Sequence, residues 1–291
     1  MANQILEVKD LSKKYRGFEV KNVSFTLEAG YILGLIGRNG AGKTTLMKLI
    51  QNIVPKNSGT VTIHGYDHIK DEIAAKNKIG FIMEHPFFDR KSLEDNGKLF
   101  GKFYKEYNHQ MLLQYLDRFE LEHDQEFGNL SKGMQTKFQL SFALSHQAKL
   151  LIMDEPTGGL DPIFRREFLS LLQEVAETEQ VGIIISTHIT SDLDKIADYI
   201  ALIDDGELIF YKTKEDLMDE YWLVKGRRDL LKKIPKSAFV WIRKHSQGFE
   251  ALTCDKKACV GYCNDTDSIL FERASIEDIM YYISKERSET T

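Results

Sequence analysis

Gly37-Arg38-Asn39-Gly40-Ala41-Gly42-Lys43-Thr44-Thr45 meets the pattern G-x-x-x-x-G-K-[ST] at every specified position. The stretch before it, Tyr31-Ile32-Leu33-Gly34-Leu35-Ile36, is a short apolar run rich in strand formers. After it, Leu46, Leu49, Ile50 and Ile53 return at helical spacing, so the local order is strand, loop, helix. Glycines 37, 40 and 42 let backbone N–H groups turn inward without a Cβ in the way. The following helix aims the positive end of its dipole at the same point. Such a loop is built for phosphate, and a nucleoside triphosphate is the expected ligand. Lys43 would reach the β and γ phosphates and Thr44 would offer its hydroxyl to magnesium. Asn39, Ala41 and Thr45 complete the expected contact set of the loop.

Working outward, 291 residues suffice for one large or two modest domains with a sizeable core. Thirty-nine basic residues against 44 acidic ones give a net charge of −5, which argues against a general binder of nucleic-acid backbones. Met1-Ala2-Asn3-Gln4 runs straight into the strand-like Ile5-Leu6-Glu7-Val8, with no export signal. No stretch approaches the roughly 18 apolar residues needed to cross a bilayer. The chain is therefore expected to be soluble and cytoplasmic. Cys254, Cys259 and Cys263 are expected as reduced, small apolar residues in or near strands. Their spacing, with His245 upstream, does not match common zinc modules.

Apolar patterning predicts strands at Ile5 to Val8 and Val20 to Leu27, separated by a turn over Ser12 to Gly17, and another at Thr60 to Ile63. Ser92-Leu93-Glu94-Asp95 reads as a capped helix start. Helical spacing then continues through Leu99, Phe103, Tyr107, Leu112, Leu116 and Phe119. Continuous apolar runs return at Lys149 to Met153 and Val181 to Ile185, with an amphipathic helix between them at about Phe164 to Glu177. Runs of this kind suit parallel strands buried on both faces, giving an α/β domain with a helical insertion at about residues 86–148.

The strand at Leu150 to Met153 ends in Asp154-Glu155-Pro156. Two adjacent carboxylates at the end of a buried strand are costly without a cation or a reaction to serve. Beside a phosphate loop, Asp154 is expected to hold magnesium and Glu155 to position and activate the attacking water. Upstream, Leu130-Ser131-Lys132-Gly133-Met134 places Ser131 as a helix cap, a second anion-ready feature.

Taken in order, these elements resemble an ATP-binding cassette (ABC) transporter ATPase subunit over about residues 4–215. The resemblance rests on five elements. These are the loop Gly37 to Thr45, the signature-like turn Leu130 to Met134, the Asp154-Glu155 pair, a D-loop at Gly159-Leu160-Asp161, and a switch histidine, His188. It implies an α/β P-loop fold with a mainly parallel RecA-like sheet, an antiparallel β subdomain and the helical insertion. Residues 1–215 form the nucleotide-binding domain and 216–291 a small accessory α+β unit. Trp222, Phe239, Trp241, Ile269 and Phe271 suggest its core, and Ser275-Ile276-Glu277-Asp278 begins a last helix.

The same resemblance implies two such subunits, identical or paralogous, closing head to tail over two ATP molecules with Mg2+. Ser131 and Gly133 of each would bind the γ-phosphate held by the other's Lys43. His188 would touch that phosphate from its own chain, Asp161 would couple the pair, and Tyr15 would stack on adenine. Separate membrane subunits would hold the motor at the inner face of the cell membrane and dock near Phe87, Phe88, Phe100 and Phe103. Two features depart from the usual pattern. Glu84 stands where a glutamine is common and is expected to ligate magnesium and alter sensing, and the signature turn carries Lys132 and Met134. Both variants resemble the drug and peptide-antibiotic exporter branch, of the lantibiotic immunity and phenol-soluble modulin type. The competing reading is an ABC ATPase switch on ribosomes or nucleic acid, disfavoured by the single cassette and the acidic balance.

Overall fold

The computed structural model describes residues 4–83, 86–261 and 269–290. β1 (Gln4–Tyr15) and β2 (Phe18–Glu28) form a long antiparallel hairpin. The turn expected over Ser12 to Gly17 is therefore shorter: β1 runs on to Tyr15. Register shifts between Val8 and Leu11 and between Leu11 and Lys13, with Asp10 at φ 50°, absorb the irregularity as a bulge and let pairing resume. Next come β3 (Ile32–Ile36), α1 (Lys43–Ile50), β4 (Ser58–Ile63), β5 (Tyr66–Asp67), α2 (Glu72–Asn77) and β6 (Ile79–Ile82). The helical stretch contributes α3 (Leu93–Gly101), α4 (His109–Arg118) and α5 (Lys132–Ser145). β7 (Leu150–Asp154), α6 (Pro162–Glu179), β8 (Gly182–Ser186), α7 (Thr190–Ile196), β9 (Tyr199–Asp204), β10 (Glu207–Thr213) and α8 (Lys214–Glu220) follow.

The first ten strands make one mixed sheet in the order β5-β4-β1-β2-β10-β9-β3-β8-β7-β6. β6, β7, β8, β3 and β9 are mutually parallel, and the antiparallel part joins them through β10. All five residues of β3 and of β8 are buried, as strands covered on both faces must be. The β9–β10 hairpin adds to the elements expected from sequence, although Asp205-Gly206 between two apolar runs is a hairpin signal.

One core lies between this sheet and α5, α6 and α7, and a second lies under α1 and the β1–β2 hairpin. The remaining residues form β11 (Trp222–Gly226), β12 (Trp241–Lys244), β13 (Phe249–Thr253), α9 (Lys256–Gly261), β14 (Ile269–Arg273) and α10 (Ile276–Thr290), with a four-stranded sheet ordered β12-β13-β11-β14. Alternation divides its side chains between two faces. Val224, Phe249 and Ala251 build a local third core, while Leu223 and Leu252 join Ile279 and Tyr282 of α10 in the core that also holds Leu193 of α7. Cys259 is buried in that third core, on α9 instead of a strand, and Cys254 is exposed; Cys263 lies outside the described residues. Among the described residues no helix is long and apolar enough to cross a membrane. None of their His, Cys, Asp and Glu side chains form a group of three that could hold a metal.

Candidate nucleotide site

β3 delivers the chain to Gly37, whose φ of 152° and absent Cβ let the loop pass the Ile203 carbonyl; a Cβ there would stand 2.1 Å from that oxygen. The loop opens on a cleft of about 700 Å³. Asn39 to Thr45 line it on one side, with Phe18, Gln51, Phe81 and Met83, and Asp154, Glu155 and Ser186 close the far end. Loop and carboxylates thus meet because parallel β3, β8 and β7 are neighbours and all end on one edge. A crevice beyond the carboxyl ends of parallel strands is where α/β sheets bind ligands.

Lys43 is almost fully buried, and its Nζ donates to the Gly37 carbonyl at 2.7 Å and the Arg38 carbonyl at 3.2 Å. Burial pulls its pKa below the usual lysine range, while Glu155 and Asp154 pull it back up. The Thr44 hydroxyl donates to Asp154 Oδ2 at 3.0 Å. Two hard oxygens converging beside a phosphate loop fit Mg2+, which binds through one or two protein oxygens plus substrate phosphates.

Glu155 follows in left-handed conformation, φ 49°, with its N–H donating to the Ser186 carbonyl at 2.8 Å. Its carboxylate accepts from the His188 backbone N–H at 3.1 Å and lies 2.8 Å from His188 Nδ1. The pair is open to solvent, with the His188 side chain 64% and that of Glu155 27% exposed. A carboxylate so placed can accept a proton from water, and the imidazole beside it can steady the charge.

Other expected site residues stand apart from this cleft. Ser131 Oγ accepts from the Met134 N–H at 3.3 Å and caps α5; neither it nor Gly133 lines the cleft. Gly133 packs flush on Phe164 of α6, where a Cβ would come within 2.6 Å of the ring. Asp161 accepts from the N–H groups of Ile163 and Phe164 and caps α6, contributing about 1 kcal/mol to that helix. Tyr15 is exposed on the hairpin, 6.4 Å ring to ring from Phe18, and it is Phe18 that lines the cleft. Glu84 lies outside the described residues. Just before it, the buried Gln139 amide clamps the Met83 backbone, its Oε1 accepting from N–H at 3.0 Å and its Nε2 donating to the carbonyl at 3.2 Å.

A further network was not legible in the motifs. Asp192 of α7 is 1% exposed and accepts from Thr157 Oγ1 at 2.8 Å and from Arg165 Nε at 2.7 and 2.9 Å. Thr157 lies two residues after Glu155, Arg165 four after Asp161, and Asp192 four after His188. One buried carboxylate therefore ties together the three segments that carry the candidate chemistry.

The family model described as ABC transporter matches residues 20–158. The linearmycin resistance ATP-binding protein LnrL of Bacillus subtilis is 34% identical, with 73% of this chain aligned to 70% of that protein. The bacitracin transport ATP-binding protein BcrA of Bacillus licheniformis is 33% identical over 70% of this chain and 68% of its own length. A solved ATP-binding subunit of an ABC transporter superposes with a TM-score of 0.66 at 30% identity, covering 73% of this chain and 91% of that one. The chain belongs to the ATP-binding subunits of ABC transporters. It is an ATP-hydrolysing motor of a bacterial-type transport system, and proteins of this class work with membrane subunits and usually dimerise.

Proposed function

We propose that this chain powers an exporter of antimicrobial or amphipathic peptides or drugs, closing head to tail with a second ATPase subunit over two Mg2+-ATP. The contact between Glu155 and His188 at 2.8 Å, beside Thr44 and Asp154 at 3.0 Å, carries the reading: it gathers a base, its partner and a magnesium cradle at one end of the cleft. Thr44 and Asp154 would hold the ion, with Glu84 as a further ligand, and the ion would offset phosphate charge. Lys43 and the loop N–H groups of Gly37, Asn39, Gly40, Ala41, Gly42 and Thr45 bind phosphates, and Tyr15 meets the base. Glu155 takes the proton of the attacking water and His188 orders the γ-phosphate.

Ser131 and Gly133 stand on a helix end away from their own cleft, which supports their acting on the partner's ATP, with Asp161 at the seam. The peptide cargo is supported by likeness to proteins named for bacitracin transport and linearmycin resistance. Residues 1–215 form the motor domain and 216–291 the accessory domain. Membrane subunits at the inner face of the cell membrane dock on a groove of about 460 Å³ lined by Ile73, Phe87, Phe100, Phe103, Tyr104 and Phe142.

Complementation tests the shared site. Lys43→Ala and Ser131→Arg chains are each expected to be inactive alone. Mixed, they form dimers in which one site keeps an intact Lys43 and an intact Ser131, and hydrolysis returns. Failure of the mixture, with mixed dimers shown to form, would sink the head-to-tail reading.

A further inference from the structure

Arg38 is the second residue of the loop, and its side chain leaves the cleft: Nη1 donates to Ser288 Oγ at 3.2 Å, near the end of α10. The preceding residue of that helix, Arg287, spans two carboxylates. Nε donates to Asp204 Oδ2 at 3.1 Å and Nη2 to Glu207 Oε2 at 2.7 Å. Asp204 and Glu207 flank the Asp205-Gly206 turn of the β9–β10 hairpin, which is the floor of the phosphate loop. There the Gly206 N–H donates to the Ala41 carbonyl at 2.9 Å, and the Ile203 carbonyl fills the space beneath Gly37. Lys21 of β2 adds a third tie, donating to Glu207 Oε1 at 3.0 Å.

The middle of α10 belongs to the accessory sheet. Tyr282 Oη donates to Glu250 Oε1 of β13 at 2.5 Å, and its ring meets Trp241 of β12 edge-on at 5.8 Å. The same helix packs its apolar side toward α7, whose start lies just beyond His188. One rigid element therefore runs from the accessory sheet to both the floor and the rim of the loop. An exposed ion pair by itself contributes little. Arg287 differs in gripping both sides of one turn, with Asp204 only 15% exposed, and in placing Ser288 against the loop itself.

We infer that Arg287 and Ser288 are positioning residues for the phosphate loop, through which the accessory unit sets the affinity for ATP. The inference rests on reading residues 37–45 as the phosphate loop. In the full chain, Arg287→Ala is expected to weaken ATP binding about five-fold, read as KM and as the Kd of a fluorescent ATP analogue. Turnover at saturating ATP should fall by less. Arg287→Lys, which keeps the charge but cannot fork across two carboxylates, should recover part of the affinity. Ser288→Ala removes the contact to Arg38 together with a bond within α10, to the Ser284 carbonyl at 2.7 Å, and should weaken binding about two-fold, supplying a readout should Arg287→Ala fold poorly. Unchanged affinity in folded Arg287→Ala and Ser288→Ala proteins would overturn the inference, as would a loss confined to thermal stability. Lys43→Ala serves as the separate control. If it binds the analogue normally, the loop assignment fails, whatever the tail variants do.

Discussion

Two carboxylates lie close in the fold and differ in every physical respect. Glu155 sits on a left-handed backbone at the cleft edge, paired with the well-exposed His188, and its own side chain is part-exposed. Asp192 is sealed, and its oxygens are occupied by Arg165 and Thr157. The first arrangement can exchange a proton and change partners; the second can only hold its neighbours in place. The contrast separates a group that works from a group that fixes where the work is done, and it yields ordered expectations.

The largest effect is expected at Glu155. Glu155→Gln keeps the shape and removes the base, so hydrolysis should fall about 10³-fold while ATP binding survives. Near-normal steady-state turnover in that variant would remove Glu155 from the chemistry. Second is Asp192→Ala. It strands a partly buried guanidinium and should cost about 3 kcal/mol in urea denaturation. A cost below about 0.5 kcal/mol, the range of neutral surface changes, would break the distinction between the two carboxylates.

Histidines repeat the comparison. His188 is open to solvent, whereas His146 is buried and stacked on Tyr104 with ring centroids 3.9 Å apart. Burial pushes the His146 pKa down from 6.5 to about 4. Below 6.5 the unfolded chain takes up a proton that the folded chain refuses, so stability is full above that pH and is lost as pH falls toward 4. The loss should approach about 3 kcal/mol and be absent in His146→Phe, as denaturant melts at pH 7 and pH 4 would show. Smallest is Gly133→Ala, whose added methyl meets the Phe164 ring at 2.6 Å. A stability loss of about 1–2 kcal/mol is expected, largely relieved by Phe164→Leu. No relief in the double variant would show that the ring is not what excludes the methyl.

Much of the motor is legible in the sequence. The loop, the Asp154-Glu155 strand end and the Ser131 cap are local features, each written in consecutive residues whose backbone chemistry is self-contained. Asp192 was not legible, because its partners lie 27 and 35 residues away and an aspartate in a short helix usually faces water. Phe18 carries no sequence signal for its place in the cleft, because ring direction at the tip of a bulged hairpin depends on the bulge. The docking aromatics illustrate the same limit. Phe88 turned inward to pack on Phe127, Phe138 and Phe142, while Phe87 and Phe103 stayed largely exposed. Four like residues separate only when α3 and α5 are assembled. The β9–β10 hairpin had a signal in Asp205-Gly206, but its placement under the phosphate loop is a property of sheet order alone.

Ser131 caps its own helix, outside the cleft that holds Lys43. On the proposed reading this sets the kinetic order of the reaction. A dilute preparation of the isolated chain should hydrolyse ATP at a rate rising with the square of protein concentration, then become linear once the paired form predominates. A membrane complex that holds two copies side by side would erase that dependence, because the second half of each site arrives with the scaffold and not by collision.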